Sequence, residues 1–85
     1  MKNFSYVITD NDGIHARPAG ELVKLCKTFK STITISKDGK SGKATKILSV
    51  MSLGATKGST VEFAVEGEDE EAAAAAVEEF MKNNL

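Results

Sequence analysis

Few side chains in this 85-residue sequence can take part in chemistry, because it holds one histidine, one cysteine and one tyrosine, and its single arginine is Arg17. A metal site needs three or four ligands from His, Cys, Asp or Glu side chains at suitable spacing. No such set stands out, so the sequence predicts neither a metal site nor a bound cofactor. The strongest candidate for chemistry is His15, which follows a turn glycine, Gly13, and precedes Arg17 and Pro18.

The position of His15 matters because the sequence predicts a helix that begins at about residue 16. The first turn of a helix presents unpaired N–H groups and the positive end of the helix dipole. A phosphoryl group on the His15 ring would meet those donors, and Arg17 could donate two hydrogen bonds to phosphate oxygens. Pro18 fits the first turn, where its missing N–H costs nothing. A histidine at a helix start is also often a plain surface residue, and the residues alone leave both interpretations open.

Cys26 is predicted to be a structural residue. It continues an apolar stripe with Ala19, Leu22 and Phe29 on the helix predicted over about residues 16–28. A thiol on such a stripe is expected in the core, the alternative being a reactive thiol. With one cysteine the chain cannot form an internal disulfide, which favours a reducing compartment and therefore the cytoplasm.

The rest of the sequence divides into strands of alternating polarity and helices with a period of three to four residues. Asp38-Gly39 is a strong hairpin signal, and Gly54 closes a dense apolar run as a helix C-cap would. The predicted elements are a strand over 4–8, the helix over 16–28, a strand over 32–36, a returning strand over 40–45, a helix of about two turns before Gly54, a strand over 60–66 and a helix from about 70. This order, β-α-β-β-α-β-α, indicates the α+β class, with helices covering one face of an antiparallel sheet.

Charge is unevenly distributed along the chain, although the formal net charge is −1. Residues 1–60 carry ten basic and four acidic side chains, whereas residues 61–85 carry one basic and eight acidic. The basic part lacks the arginine and aromatic density of a nucleic-acid surface, but it could attract an acidic or phosphorylated partner. No run of about 18 apolar residues exists, so no membrane insertion is expected.

Three segments of the sequence resemble motifs of one protein family. Gly13-Ile14-His15-Ala16-Arg17-Pro18-Ala19 resembles the active-centre motif of HPr, the histidine-containing phosphocarriers of the bacterial phosphoenolpyruvate–sugar phosphotransferase system. The other two are Ser49-Val50-Met51-Ser52-Leu53-Gly54, followed by Lys57-Gly58, and Gly67-Glu68-Asp69-Glu70. The resemblance covers the whole chain and implies a single HPr-like domain over residues 1–85. The family fold is an open-faced β-sandwich with a four-stranded antiparallel sheet and helices on one face.

The resemblance implies a phosphoryl carrier that does not turn over a substrate by itself. His15 would accept a phosphoryl group on Nδ1 from phospho-enzyme I and pass it to the IIA domain of a sugar-specific permease, supporting sugar uptake. Arg17 would contact the phosphoryl group, and the supporting residues around the helix N-terminus are Asp12, Ala16 and Pro18. The chain is expected to act as a monomer. The alternative within the same fold is a regulatory paralogue that acts by binding proteins; a small ligand-binding α+β domain is disfavoured, because the chain has no glycine-rich phosphate loop.

A docking surface for these partners is also implied by the resemblance. Its apolar part would be Ile47, Leu48 and Met51 on the short helix, of which one or two are expected to be exposed and the rest to belong to the core. Its remaining members are expected to be Gly20, Lys24, Lys27 and Lys46. For the lysines of the first helix, an ordinary solvated helix face is an equally open interpretation.

Two positions depart from the family pattern. Lys46 stands at the start of the short helix, where the low-GC Gram-positive branch carries a regulatory serine that a dedicated kinase phosphorylates, so that modification is not expected here. Family members often carry Ser or Asn near the position of Asp12. The Asp12 carboxylate would either cap the following helix or lie beside a phosphorylated His15 and repel it.

Overall fold

The computed structural model describes residues 1–85 and contains every predicted element, with ends that differ by a few residues. In chain order the elements are β1 (Lys2–Val7), α1 (Ala16–Cys26), β2 (Thr32–Lys37), β3 (Lys40–Lys43), α2 (Ile47–Met51), β4 (Thr60–Glu66) and α3 (Glu70–Asn84). The predicted order β-α-β-β-α-β-α is therefore confirmed. None of the three helices has the length and apolar character needed to cross a membrane.

The four strands form one antiparallel sheet in the order β1-β4-β2-β3. Phe63 on the central strand β4 pairs with Phe4 of β1 on one side and with Ile35 of β2 on the other. Side chains along a strand point alternately to the two faces of a sheet. The residues of β4 that alternation predicts to point inward are buried: Val61, Phe63 and Val65. One face of the sheet packs against the helices and the other is open, which confirms the predicted α+β arrangement.

A core of 19 buried apolar residues joins the sheet to the helices. Leu22 and Cys26 enter this core from α1, and Val77 and Met81 enter it from α3. Burial raises the pKa of the Cys26 thiol to about 12. Because the thiolate is the reactive form of cysteine, this side chain is inert near neutral pH. The prediction of a core thiol is confirmed.

Two turns explain where the neighbouring elements end. Asp38 and Gly39 both have positive φ angles, of 51° and 84°, which is the geometry of the tight hairpin between β2 and β3. After α2, the amide of Gly54 donates to the carbonyl of Met51, three residues earlier, at 3.2 Å. The chain thus leaves the α-helical pattern early, so α2 is shorter than the two turns predicted.

Candidate functional site

Hydrogen bonds and the close packing of Gly13 against Ala55 hold the loop between β1 and α1 in place. Asp10 closes a turn, since its carbonyl oxygen accepts from the amide of Gly13 (3.0 Å) and its Oδ1 from the amide of Asp12 (2.8 Å). Gly13 has a φ of 65°, and a Cβ there would overlap the carbonyl oxygen of Ala55. Glycine is therefore required at this position. The amide of Ile14 donates to the same Ala55 oxygen (3.0 Å) and fixes the approach to His15.

His15 is the N-cap residue of α1. Its backbone is extended, with φ of −120° and ψ of −177°, and its carbonyl accepts a helical bond from the amide of Ala19 (3.0 Å). Its side chain makes no capping bond and is half-buried. The first turn of α1 contains no acidic side chain. The unpaired N–H groups and the positive end of the dipole therefore remain available to an anion beside the ring.

The residues predicted to support His15 occupy the first turn of α1. Ala16 and Arg17 are exposed, whereas Pro18 is buried. Because Pro18 has no N–H, the nearest helix donors to His15 are the amides of Ala16 and Arg17. The Arg17 guanidinium takes part in none of the ion pairs of the structure, so it is free to bind an anion at the start of α1.

Two carboxylates lie close to the His15 ring. Asp10, Asp12 and His15 each offer one atom, a carboxylate oxygen or a ring nitrogen, and these atoms all lie within 4.8 Å of one another. The interpretation of Asp12 as the helix cap is wrong, because His15 is itself the N-cap residue. Asp12 instead brings negative charge to the ring, which is the other expectation for this residue. The approach of Asp10 was not predicted, since its sequence context indicates a turn but not the direction of its side chain.

The same trio is the one group of side chains that could approach a single metal ion. Two carboxylates and an imidazole are ligands that divalent cations accept. All three side chains are at least partly exposed, however, and exposed acidic groups commonly lie this close without an ion. The chemical effect that follows directly from the geometry is electrostatic, since two negative groups stand beside the ring.

The short helix α2 presents apolar side chains to solvent. Ile47, Leu48 and Met51 are 40%, 80% and 39% exposed, and we call these three residues the apolar patch. The expectation that part of this set belongs to the core is wrong, because the five-residue helix buries Val50 alone. The patch adjoins α1, since the end of the Ile47 side chain lies 3.8 Å from the place that a Cβ on Gly20 would take.

The three lysines predicted to complete the docking surface are exposed and take part in no ion pair: Lys24, Lys27 and Lys46. Lys46 is the N-cap residue of α2 and makes no capping bond. It thus lies next to the apolar patch in the chain. Lys27 lies at the opposite end of α1 from His15, about 18 Å along the helix axis. The structure therefore brings Gly20 and the apolar patch together but leaves Lys27 at the margin.

Comparison with known proteins decides the family. The model of the family described as "PTS HPr component phosphorylation site" matches residues 2–83. The chain belongs to the HPr family. The phosphocarrier protein HPr of Mycoplasma capricolum subsp. capricolum is 37% identical to this chain over 81 residues, which make up 95% of this chain and 91% of that relative. The resemblance predicted from the three motifs is confirmed.

Solved structures of HPr proteins share the fold. HPr-C-His from Thermoanaerobacter tengcongensis matches with a TM-score of 0.93 at 37% identity, covering 98% of this chain and 93% of that one. The Bacillus subtilis catabolite repression protein Crh, solved as an intertwined, swapped dimer, matches with a TM-score of 0.79 at 32% identity, covering 89% and 87% of the two chains. The four-stranded open sheet with three helices is thus the HPr fold, and the chain is similar both to phosphocarriers and to Crh.

Proposed function

We propose that this chain, acting as one unit over residues 1–85, carries phosphoryl groups from enzyme I to the IIA domains of sugar-specific permeases. His15 takes the group on Nδ1, and the bond from phosphorus to the donor breaks as the new bond to nitrogen forms. Transfer to the IIA domain breaks that bond in turn and restores the free ring. The chain is a relay without a substrate of its own, which distinguishes it from a turnover enzyme.

The observation that carries this proposal is that the only histidine of the chain is the N-cap residue of α1 and makes no capping bond. A phosphoryl group on its ring lies where the helix amides donate and the dipole favours negative charge. Arg17, which has no ion-pair partner, adds a planar two-pronged donor. Asp10 and Asp12 act in the opposite sense, because their carboxylates repel the group. The helix amides and Arg17 favour binding of the phosphoryl group to the ring, and the two carboxylates favour its transfer onward. A carrier requires both.

The apolar patch and the free cations support a protein partner with an apolar and acidic surface. Adjacent exposed apolar side chains are typical of interaction sites. Arg17, Lys24 and Lys46 make no ion pair within the chain, so each is available to a carboxylate of enzyme I or of a IIA domain. Attraction of this kind acts mainly on the association rate and weakens with salt. We propose that the chain docks through this face as a monomer in the cytoplasm.

Incubation with enzyme I, phosphoenolpyruvate and Mg²⁺, followed by intact-mass measurement, tests this function. The wild-type chain should gain one acid-labile phosphoryl group and lose it when a IIA domain is added. His15→Ala should gain none, because the chain has no second histidine. Labelling that survives in His15→Ala, or a folded wild type that gains no label, would contradict the proposal.

Similarity to Crh favours a second candidate function, a regulatory paralogue that acts by binding proteins. The presence of His15 and Arg17 supports the carrier. Lys46 at the start of α2 removes the hydroxyl that a serine kinase of this system would need. Such a kinase with ATP should leave the chain unmodified, and Lys46→Ser should create a substrate. Phosphorylation of the natural sequence on Thr45 or Ser49 would instead support the regulatory function.

A further inference from the structure

A contact joins the end of α3 to the loop before His15, outside the atoms that take part in phosphoryl transfer. The main-chain oxygen of Leu85 accepts three hydrogen bonds, from the amide of Thr9 (2.5 Å), the amide of Asp10 (2.9 Å) and Oγ1 of Thr9 (3.0 Å). We call these three bonds the clasp. Leu85 is 2% exposed, and its own amide donates to the carbonyl of Met81 in α3 (2.9 Å). The accepting oxygen is therefore anchored by the core and by the helix.

One bond of the clasp comes from the amide of Asp10, whose carboxylate lies beside the His15 ring. The amide of Asp10 is bound by Leu85, its carbonyl by the amide of Gly13 (3.0 Å) and its Oδ1 by the amide of Asp12 (2.8 Å). These bonds fix both the main chain and the side chain of Asp10. Its carboxylate makes no ion pair, so its charge acts on the ring from within 4.8 Å without a neutralising cation.

We propose that the clasp sets how readily phospho-His15 gives up its phosphoryl group, with Thr9 as a positioning residue that acts through Asp10. This inference rests on the proposed function, because it concerns the phosphorylated ring. A carboxylate held beside the ring repels the bound group and raises its tendency to leave. Without the Thr9 hydroxyl, the oxygen of Leu85 keeps two donors instead of three. The carboxylate then spends less time near the ring, and the phosphorylated form is favoured.

The test measures the exchange equilibrium between phospho-enzyme I and this chain in variants of Thr9. Thr9→Val removes the hydroxyl at nearly constant shape and should shift the equilibrium about two- to threefold toward the phosphorylated chain. Thr9→Ser restores a hydroxyl and should return the wild-type value. Asp10→Asn keeps an oxygen for the amide of Asp12 but removes the charge, and it should give a shift of about three- to tenfold in the same direction. Thr9→Val added to Asp10→Asn should have no further effect, because the charge through which the clasp acts is gone.

Thr28→Val is the matched control, because the Thr28 hydroxyl also donates to a main-chain oxygen, that of Leu25 (2.7 Å), but at the far end of α1. It should leave the exchange equilibrium unchanged. An unshifted equilibrium in Thr9→Val, an equal shift in Thr28→Val, or a shift that persists in the Asp10→Asn background would overturn the proposal.

Failure of the proposed function would show separately in the same reaction, as a wild-type chain that enzyme I does not phosphorylate. In that event the clasp is tested with phosphoramidate as the phosphoryl donor, which transfers the group to an imidazole nitrogen and releases ammonia. Hydrolysis of phospho-His15 should then be slower in Thr9→Val than in the wild type and Thr28→Val. Equal hydrolysis rates in the three proteins would overturn the clasp as a positioning device.

Discussion

The starts of α1 and α3 present the same backbone chemistry but are used differently. Each exposes unpaired amides and the positive end of a helix dipole. At the start of α3, the carboxylate of Asp69 accepts from the amides of Lys30 and Ser31 (2.9 Å each) and from the Ser31 hydroxyl. These donors lie outside α3, and neither N-cap residue, Asp69 of α3 or His15 of α1, makes a side-chain capping bond. The difference is in charge, since the first turn of α3 holds Glu70 and Glu71 whereas that of α1 holds no acidic side chain.

Acidic side chains bring negative charge to the start of α3 and disfavour an external anion there. Glu70 lies in its first turn, and hydrogen bonds from the Met1 amino group and the amide of Gly67 hold the pKa of Glu70 below its usual range. Near neutral pH the protein's own negative charges therefore face this helix. A helix start is therefore a candidate anion site when the protein places no acidic side chain of its own in the first turn. We call the start of α1 the open start and the start of α3 the closed start.

The largest expected effect comes from Gly13→Ala, which distorts the open start. Gly13 and Gly54 share a φ of 65°, but an added Cβ meets the main chain of Ala55 at Gly13 and nothing within 4 Å at Gly54. The backbone strain alone costs about 1–2 kcal/mol, so Gly54→Ala is the matched control. Gly13→Ala should lower the free energy of unfolding by about 2 kcal/mol more than this control in urea denaturation. Equal losses would mean that the loop before His15 adjusts freely and that Gly13 does not hold it.

At the closed start, Asp69→Asn should lower stability and reduce its dependence on pH. The Ser31 hydroxyl and the amide of Lys30 hold the pKa of Asp69 below its ordinary value. A carboxyl group with a lowered pKa in the folded state stabilises the fold above its unfolded pKa, and this contribution is lost as the pH falls through the folded pKa.

Urea midpoints recorded from neutral pH to about pH 2.5 should therefore fall less steeply for Asp69→Asn than for the wild type. Asp38→Asn, at the exposed β2–β3 hairpin, is the control and should follow the wild-type curve. If the curves of Asp69→Asn and the wild type are parallel, the ionised carboxylate does not hold the closed start together. Phosphorylation of His15 should be unchanged in Asp69→Asn.

Replacing His15 by a residue that caps α1 should give a more stable protein than replacing it by alanine, and either change should abolish phosphorylation. Asparagine is a favourable N-cap residue without the charge that Asp10 and Asp12 would repel, so His15→Asn should be more stable than His15→Ala by about 0.5–1 kcal/mol. The gain is limited because Pro18 has no N–H, which leaves the amide of Arg17 as the donor to the cap. Both variants should lose phosphorylation. Equal stability of the two variants would show that the amide of Arg17 does not donate to a cap, so that the donors of the open start are not available as we describe them.

Among the variants that compare the two helix starts, the smallest effect is expected from Asp12→Asn, which removes one negative charge beside the open start. The Asp12 carboxylate lies within 4.8 Å of a ring nitrogen of His15. The substitution removes its charge and keeps nearly the same side-chain shape. Repulsion at this range amounts to about 1 kcal/mol in water-like surroundings, so the exchange with phospho-enzyme I should shift about fivefold toward the phosphorylated chain. High salt should reduce the shift, because the groups are exposed to screening. A shift of the same size in Asp38→Asn would trace the effect to net charge instead.

Local residues were sufficient to predict the elements and the place of His15. The turn at Gly13 and the proline in the first helical turn define the start of α1 within a few positions, because both constrain the backbone directly. The side chains around the ring could not be predicted in this way. Asp10 is held by Leu85, whose oxygen is also bound by Thr9 across 76 positions of the chain. The exposure of Leu48 likewise depends on how a five-residue helix lies against α1, which no local pattern records.

The most direct test of the open start is NMR of the phosphorylated chain labelled with ¹⁵N at histidine. The chain has one histidine, so the ring nitrogens of His15 give an unambiguous signal. We expect a coupling between phosphorus and Nδ1 of His15 that disappears when acid removes the phosphoryl group. Phosphorus bound to a side-chain oxygen, or coupled to Nε2, would contradict the claim that the ring at the start of α1 carries the group on Nδ1.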